Sequence, residues 1–362
     1  MKPALLFYCQ HSVGLGHLMR SYALCDRLAE RFRVVLLCGG ELPEGIAQPE
    51  GVELIPLPPL GVSPGEGFGS GDPRYTTERA WEVRLERILS TLRDVAPKAV
   101  LVELFPFGRA KFARELVPLL DAARQMGAFT ACSLRDILVS GRDDQRAYDD
   151  RARALADAHL DAVLVHCDPR FAHLEETFRP STPLTVPIHY TGFVTGRTPE
   201  PRTRGEHILV SAGGGRVGAP LMLSAMAASD GRPMKVIAGP LMPEENWRGL
   251  QRLKPPNVEL VRSVPDLAAE LQAAAASVSQ CGYNTAIDLI RTRVPALVVP
   301  YVTAEENEQT RRAQRLAELG VLQVADHING HLPRLLEFDP APAALDLDGA
   351  ARTRDLLWEL AA

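Results

Sequence analysis

The chain has 362 residues, 46% hydrophobic and 23% charged, with a formal net charge of −5. That length exceeds one ordinary core and suits two domains of common size, and the composition is that of a globular protein. The negative balance, with aromatics at 6% and no basic stripe, gives no general attraction for phosphate backbones, so no nucleic-acid partner is expected.

Met1-Lys2-Pro3 leads straight into an apolar run, Ala4 to Cys9, too short for a signal-peptide core or a membrane span. A cytoplasmic protein is the expectation. Gly14-Leu15-Gly16-His17-Leu18-Met19-Arg20 follows and opens a helix-like segment reaching about Phe32. Gly14 and Gly16 let the backbone bend tightly beside a ligand, and the free N–H groups of the helix start beyond them favour an anion. His17 stands at that mouth, where a neutral imidazole can take a proton from an acceptor; its alternative is a capping or packing role.

Further aliphatic runs follow at Val34 to Cys38, Val52 to Pro56, Ala99 to Leu104, Phe129 to Leu134, Ala162 to His166 and Leu184 to Ile188. Continuous apolar runs separated by amphipathic segments read as strands of a parallel sheet with helical crossovers. Between them, Gly61 to Arg79, rich in Gly and Pro, reads as a mobile loop. Three strand ends carry charge: Glu103, Arg135 with Asp136, and Asp168-Pro169-Arg170. Glu103 is the second candidate base, with a capping or salt-bridge role as its alternative. The others are candidates to bind an acceptor or to pair with each other.

A Pro-rich, charged stretch interrupts this rhythm and divides the chain into residues 1–193, a linker at 194–206, a second domain at 207–340 and a helix-bearing tail at 341–362 that crosses back to the first domain. The second domain repeats the architecture, with runs at Ile208 to Ser211, Lys235 to Ala238, Val258 to Val261, Ser277 to Ser279 and Ala296 to Val299. After the first of these comes Gly213-Gly214-Gly215-Arg216-Val217-Gly218, which fits the dinucleotide fingerprint literally. The next strand ends in Gly239-Pro240 where that fingerprint needs a carboxylate, and Met19 occupies the third-glycine position of the first loop, so a nicotinamide or flavin enzyme is disfavoured. A phosphate cradle of another kind remains. The fold class is therefore α/β, with two doubly wound Rossmann-like domains facing an interdomain cleft.

The densest chemistry lies in Ser279-Gln280-Cys281-Gly282-Tyr283-Asn284-Thr285 with Asp288 about one turn later, then Glu305-Glu306-Asn307-Glu308-Gln309 after Pro300. Asn284 or Thr285 can cap a helix and bind an anion, and Asp288 can reach sugar hydroxyls. Six cysteines, Cys9, Cys25, Cys38, Cys132, Cys167 and Cys281, lack C-x-x-C spacing and read as buried reduced thiols.

In these residues the chain resembles the GT-B glycosyltransferases, especially the family 28 type that includes the lipid II N-acetylglucosaminyltransferase, most strongly from Val258 to Gly320. The resemblance implies that Asp288 holds the ribose, that Gly282, Asn284 and Thr285 line the diphosphate pocket, and that the backbone of Val264 meets the base. It implies that Glu308 and Gln309 grip the donor sugar and that Gly213, Gly214 and Gly215 face the phosphates and acceptor. Asp288 departs from the family's longer Glu, and the spacing from Pro300 to Gln309 is one or two residues longer. The first loop is similar to that of uncharacterised bacterial glycosyltransferases and of the nucleotide-sugar hydrolase of pseudaminic acid synthesis, both with Gly-x-Gly-His-x-x-Arg, which implies a catalytic His17.

The implied reaction is transfer of a hexosyl or N-acetylhexosaminyl group from a nucleotide-diphosphate sugar, UDP-sugar favoured, to a hydroxyl or amine. Hydrolysis and non-catalytic binding are the alternatives. No cofactor is expected, the nucleotide sugar being the substrate. No metal is expected either, because Asp346-Leu347-Asp348 lies in a Pro- and Ala-rich stretch without strand context. With no basic amphipathic helix and little apolar surface at Leu60 to Phe68, the expected acceptor is a soluble small molecule or peptide, without membrane attachment.

Overall fold

The computed structural model describes residues 2–11, 14–42, 46–63, 67–199, 201–303 and 307–361. The first unit runs β1 (Ala4–Cys9), α1 (Gly16–Leu28), β2 (Arg33–Cys38), β3 (Glu53–Pro56), β4 (Leu60–Ser63), β5 (Gly67–Ser70), α2 (Thr77–Val95), β6 (Ala99–Glu103), α3 (Ala113–Gln125), β7 (Phe129–Arg135), α4 (Gln145–His159), β8 (Ala162–His166) and β9 (Ile188–Tyr190). The second runs β10 (Ile208–Ser211), α5 (Ala219–Ala227), β11 (Met234–Ile237), α6 (Glu244–Leu253), β12 (Val258–Val261), α7 (Leu267–Ala273), β13 (Ala276–Ser279), α8 (Tyr283–Thr292), β14 (Ala296–Val298), α9 (Glu308–Glu318), β15 (Gln323–Val324), α10 (Leu332–Leu336) and α11 (Gly349–Leu360).

Each unit holds one parallel sheet, in the orders β3-β2-β1-β6-β7-β8-β9 and β12-β11-β10-β13-β14-β15. Both follow the doubly wound scheme, in which strand order reverses at a switch point. The switch falls between β1 and β6 in one sheet and between β10 and β13 in the other. The segments leaving these four strands are the first glycine loop, Leu104 to Arg109, the second glycine loop and Gln280 to Gly282. The apolar runs at β1, β6 and β8 are buried because helices cover both faces of the sheet.

Two expectations need correction. The run Leu184 to Ile188 is not the strand; the strand is Ile188–Tyr190. Asp157 Oδ1 takes the amides of Thr185 at 2.8 Å and Val186 at 3.0 Å, so those N–H groups are withdrawn from a sheet ladder before Pro187 ends the stretch. Much of Gly61 to Arg79 is ordered: β4 and β5 pair antiparallel, and α2 begins at Thr77, capped by Thr76, whose Oγ1 accepts the Arg79 amide at 3.2 Å. Phe68 stacks on Trp81 with centroids 6.0 Å apart and meets Phe112 edge-on, which anchors the hairpin to α2. Residues 64–66 of that stretch lie outside the described residues.

The tail helix α11 lies against α1, joined by Phe32 and Trp358 at 5.7 Å, Arg31 and Asp355 at 3.4 Å, and the Arg354–Glu30 pair. All six cysteines are buried and unbridged. Among the described residues no helix is long and apolar enough to cross a membrane.

Under the hairpin a buried guanidinium organises the loops leaving β2 and β3. Arg84, fully buried, donates to the carbonyls of Gly39 at 3.0 Å and Pro58 at 2.8 Å and to Glu115, Tyr8 and Gln10. Gly39 is required there, because a Cβ would fall 2.1 Å from Gln10 Oε1. Breaking a buried ion pair from one side strands a charge, so Arg84→Ala is expected to lose about 3–5 kcal/mol of stability by chemical denaturation. A loss under about 1 kcal/mol would overturn this account of the hairpin's support.

Candidate functional site

The first glycine loop bends the chain from β1 into α1, and His17 falls in the first turn of that helix. His17 Nδ1 lies 2.6 Å from Glu103 Oε1 at the end of β6, the neighbouring strand across the switch point. An ionised carboxylate can only accept, so Nδ1 carries the proton and Nε2 keeps its lone pair. The same Oε1 accepts from Arg20 Nη2, one turn further along α1, and Arg109 Nε stands 3.9 Å from Oε2.

Burial sets the charge states. The Glu103 side chain is fully buried, which by itself would raise its pKa; the charges of His17, Arg20 and Arg109 and the His17 hydrogen bond overcome this and lower it to about 2. The His17 side chain is 19% exposed, and desolvation, aided by the two arginines and opposed by Glu103, lowers its pKa to about 3. A neutral imidazole therefore stands beside an anionic carboxylate at neutral pH. Glu103, expected at the cleft edge as a second base, has no open face for an acceptor; it orients His17 instead.

The second glycine loop lies directly beside the first. Gly213 and Gly215 have φ of +53° and +89°, and a Cβ on Gly215 would fall 2.1 Å from the Ala238 carbonyl. Gly239 has φ of +91°, and a Cβ on it would fall 2.5 Å from the Gly214 carbonyl carbon. The position where a dinucleotide enzyme carries its ribose carboxylate is thus filled by backbone packed on backbone. Gly214 reaches the first loop, its Cβ direction ending 3.3 Å from the Leu15 amide nitrogen.

On the other side of the second switch point, α8 begins at Tyr283 after Gly282. Asn284 Nδ2 donates to the Gly16 carbonyl at 3.0 Å, tying α8 to the start of α1. Thr285 is buried in the same turn. Among the described residues no side chain caps α1, α5 or α8, and none of the three has an acidic residue in its first turn. Asn284 thus brings the positive end of α8 beside that of α1, and the second glycine loop, which leads into α5, packs on Leu15. Asp288 sits one turn into α8, where burial pushes its carboxyl up to about 7 against the pull of Arg291 at 3.5 Å. The Asp266 charge also acts on it, so the segment carrying Val264 passes close by. Val264 itself is half-buried against the core.

Glu308 and Gln309 begin α9, and both are already engaged. Gln309 Oε1 accepts the amides of Cys281 and Tyr301, each at 3.1 Å, bracing the turn into α8. Glu308 pairs with Arg135 from β7, with Nη1 2.8 Å from Oε1. Arg135 and Asp136 therefore pair across to the second unit and not with each other: Asp136 holds Arg312 of α9 by two bonds at 2.7 and 2.8 Å, both side chains buried. Asp168 and Arg170 do pair with each other. Glu305 and Glu306 lie outside the described residues.

The structure thus gathers Gly14, Gly16, His17, Glu103, Gly214 and Asn284 at one seam, with Asp288 and Val264 on its outer side and Glu308 and Gln309 bracing it. A small cavity of about 40 Å³ opens beside the seam, lined among others by His11, Gly14, Glu41, Leu60, Arg216 and Leu241. Sequence reasoning assigned no role to Tyr283 or Arg20, although an aromatic directly after a strand-end glycine and a buried arginine one turn after the histidine were the available signals.

Residues 236–332 match the glycosyltransferase family 28 C-terminal domain. No curated protein matches the chain in sequence. Among solved structures, MurG of Acinetobacter baumannii is 14% identical with a TM-score of 0.59, over 99% of this chain and 100% of that one. UGT2 of Phytolacca americana, solved with UDP-2-fluoro-glucose and pterostilbene, is 16% identical with a TM-score of 0.57, covering 100% and 94%. A UDP-glucosyltransferase of Polygonum tinctorium capable of glucosylating indoxyl, in complex with 3,4-dichloroaniline, is 15% identical with a TM-score of 0.57, covering 100% and 93%. These likenesses show the GT-B fold, and within it residues 236–332 match the glycosyltransferase family 28 C-terminal domain.

Proposed function

We propose that the protein transfers a sugar from a nucleotide-diphosphate sugar, UDP-sugar first among them, to a hydroxyl or amine of a soluble small-molecule or peptide acceptor, with His17 as general base. The observation that carries this reading is the neutral His17, held by Glu103 in the first turn of α1, to which Asn284 ties the uncapped start of α8. The acceptor oxygen or nitrogen attacks the anomeric carbon while its proton passes to His17 Nε2. The bond from that carbon to the diphosphate oxygen breaks, leaving its electron pair on the phosphate. Helix N-termini stabilise that developing charge, so the reading needs neither metal nor cofactor. Among the described residues no three His, Cys, Asp or Glu side chains cluster as metal ligands would.

The donor's diphosphate would lie at Gly282, Asn284 and Thr285, with Gly14, Gly16 and Gly213 to Gly215 opposite. Asp288 would take the ribose, the Val264 backbone the base, and Glu308 with Gln309 the donor-sugar side, the first of these through its pair with Arg135. The acceptor would approach from the side of His11, Gly14 and Leu60. UDP is favoured because the Phytolacca structure contains a UDP-sugar and the Polygonum protein is a UDP-glucosyltransferase. Transfer is favoured over hydrolysis because the matched domain is a glycosyltransferase domain.

A thermal-shift series of UDP, GDP, dTDP and CDP with their sugars, and NAD as control, is the first test; stabilisation by UDP and a UDP-sugar is expected, and a response to NAD alone overturns the reading. His17→Ala should lower kcat by about 10²–10⁴-fold, the range of general-base catalysis, with nucleotide affinity within about twofold. Equal loss of both would remove His17 from the chemistry. Asp288→Ala should weaken nucleotide binding about tenfold, the scale of a lost hydrogen bond to a charged group, and unchanged affinity would end its ribose assignment. Saturating EDTA should leave the rate unchanged.

The proton balance adds a pH prediction. His17 has an ordinary pKa near 6.5 and a folded value near 3, so within that window the unfolded chain binds a proton that the folded chain refuses. His166, lowered in the same way, and Glu103, lowered to about 2 from 4.5, act in the same direction. Stability should therefore fall as pH drops from about 6.5 toward 3. The acid limb of kcat at saturating donor should lie below pH 6, and a limb centred at 6.5 that persists in Asp288→Asn would mean that His17 is not held as described.

A further inference from the structure

Tyr283 is the first residue of α8, the helix whose start faces the diphosphate in the proposed function, yet its ring lies against the base-bearing helix of the other unit. The Arg20 guanidinium carbon is 5.2 Å from the ring centroid and that of Arg312 is 6.0 Å away. The hydroxyl donates to the His166 carbonyl at 2.9 Å and accepts the Val194 amide at 2.9 Å, so the ring is fixed independently of Arg20.

Arg20 has few other restraints. Its Nε finds no hydrogen-bond partner among the described residues, and its Nη2 donates to Glu103 Oε1. Glu103 in turn is oriented through Oε1, shared by His17 and Arg20, while Oε2 accepts no hydrogen bond and has Arg109 only at 3.9 Å. Each member of this series leans on the one before it: ring, guanidinium, carboxylate, imidazole. A guanidinium over an aromatic face in a dry site is attracted to the ring's quadrupole, which biases its orientation.

We propose that Tyr283 is a positioning residue that sets Arg20, and through it Glu103 and His17, so that the base is oriented by the docking of α8 against α1. This rests on the reading of His17 as the base and adds to it a residue supplied by the nucleotide-binding unit. Asn284, holding the Gly16 carbonyl one residue before His17, is a second tie at the same contact.

The test compares Tyr283→Leu, which keeps bulk and loses the aromatic face, with Tyr283→Phe, which keeps the face and loses the hydroxyl. Tyr283→Leu is expected to lower kcat about tenfold or more with UDP affinity within about threefold, and Tyr283→Phe to recover most of that loss. On a Glu103→Gln background Tyr283→Leu should cost less than twofold more, because both act on one path. Multiplying losses, or a loss of UDP affinity alone, would reduce Tyr283 to interface packing. Nitrogen NMR of the ligand-free protein reads the His17 tautomer directly. The Nδ1-protonated form should dominate in the wild type and in Tyr283→Phe and become a mixture in Tyr283→Leu; an unchanged tautomer overturns the coupling. This readout stands even if His17→Ala keeps its activity, an outcome that would defeat the base reading alone. If Tyr283→Leu does not fold, Arg20→Lys, which keeps the charge and loses the planar face, should give the same tautomer mixture, and a wild-type spectrum would sink the proposal.

Discussion

A carboxylate with no water around it needs partners, and Glu103 is such a group. Stripping an ion of solvent costs several kcal/mol after relaxation, so a buried anion persists only where cations and donors surround it. Glu103 draws Arg20, Arg109 and His17 to one point at the end of β6. His17 is thus one of the groups that make the buried charge tolerable; Glu103 sets its orientation, while burial and the two arginines keep it neutral against the pull of Glu103. Glycine at positions 14 and 16 leaves the mouth of α1 open around this cluster, since a Cβ on Gly14 meets nothing within 4 Å.

A second layer of constraint comes from the ion pairs across the seam. Asp136–Arg312 is buried and bidentate, Arg135–Glu308 is mostly buried, and Arg315–Glu176 lies further out. All three join strand ends or loops of the first sheet to α9, whose first turn also braces α8 through Gln309. The α9 helix is therefore a strut: it fixes the entry of α8 with one side chain and the opposite sheet with three others. A donor sugar seated between Glu308 and the first unit would meet an arginine as well as a carboxylate, which gives that side of the pocket a dipolar character that Glu308 and Gln309 alone do not suggest.

The sheets were legible in the sequence because a parallel strand buried on both faces must be a short, nearly continuous apolar run, as Ala99–Glu103 and Ala162–His166 are. The reading failed where side chains compete with the backbone: Asp157 removes Thr185 and Val186 from the ladder, and Phe68, Trp81 and Phe112 hold together a segment whose glycines and prolines suggested mobility. For the site, glycine spacing identified both loops, and in the second a positive φ with backbone 2.1 Å from a Cβ on Gly215 leaves no other residue type there. What the sequence did not carry was partnership across distant segments. Nothing local to Glu103 marks it as buried, and nothing local to Arg135 or Asp136 says that their partners lie in α9.

The same loop geometry explains how one motif serves two chemistries. In a dinucleotide enzyme the strand after the glycine loop ends in a carboxylate that takes the ribose, which requires space between that strand end and the loop. Here Gly239 and Gly215 are packed backbone to backbone, each in a conformation with no room for a Cβ, and Gly214 is pressed against Leu15 of the opposite unit. The space for a ribose at this switch point has been closed in order to bring the two glycine loops together. In the proposed function the ribose goes instead to Asp288 in α8, whose carboxyl burial pushes up to about 7.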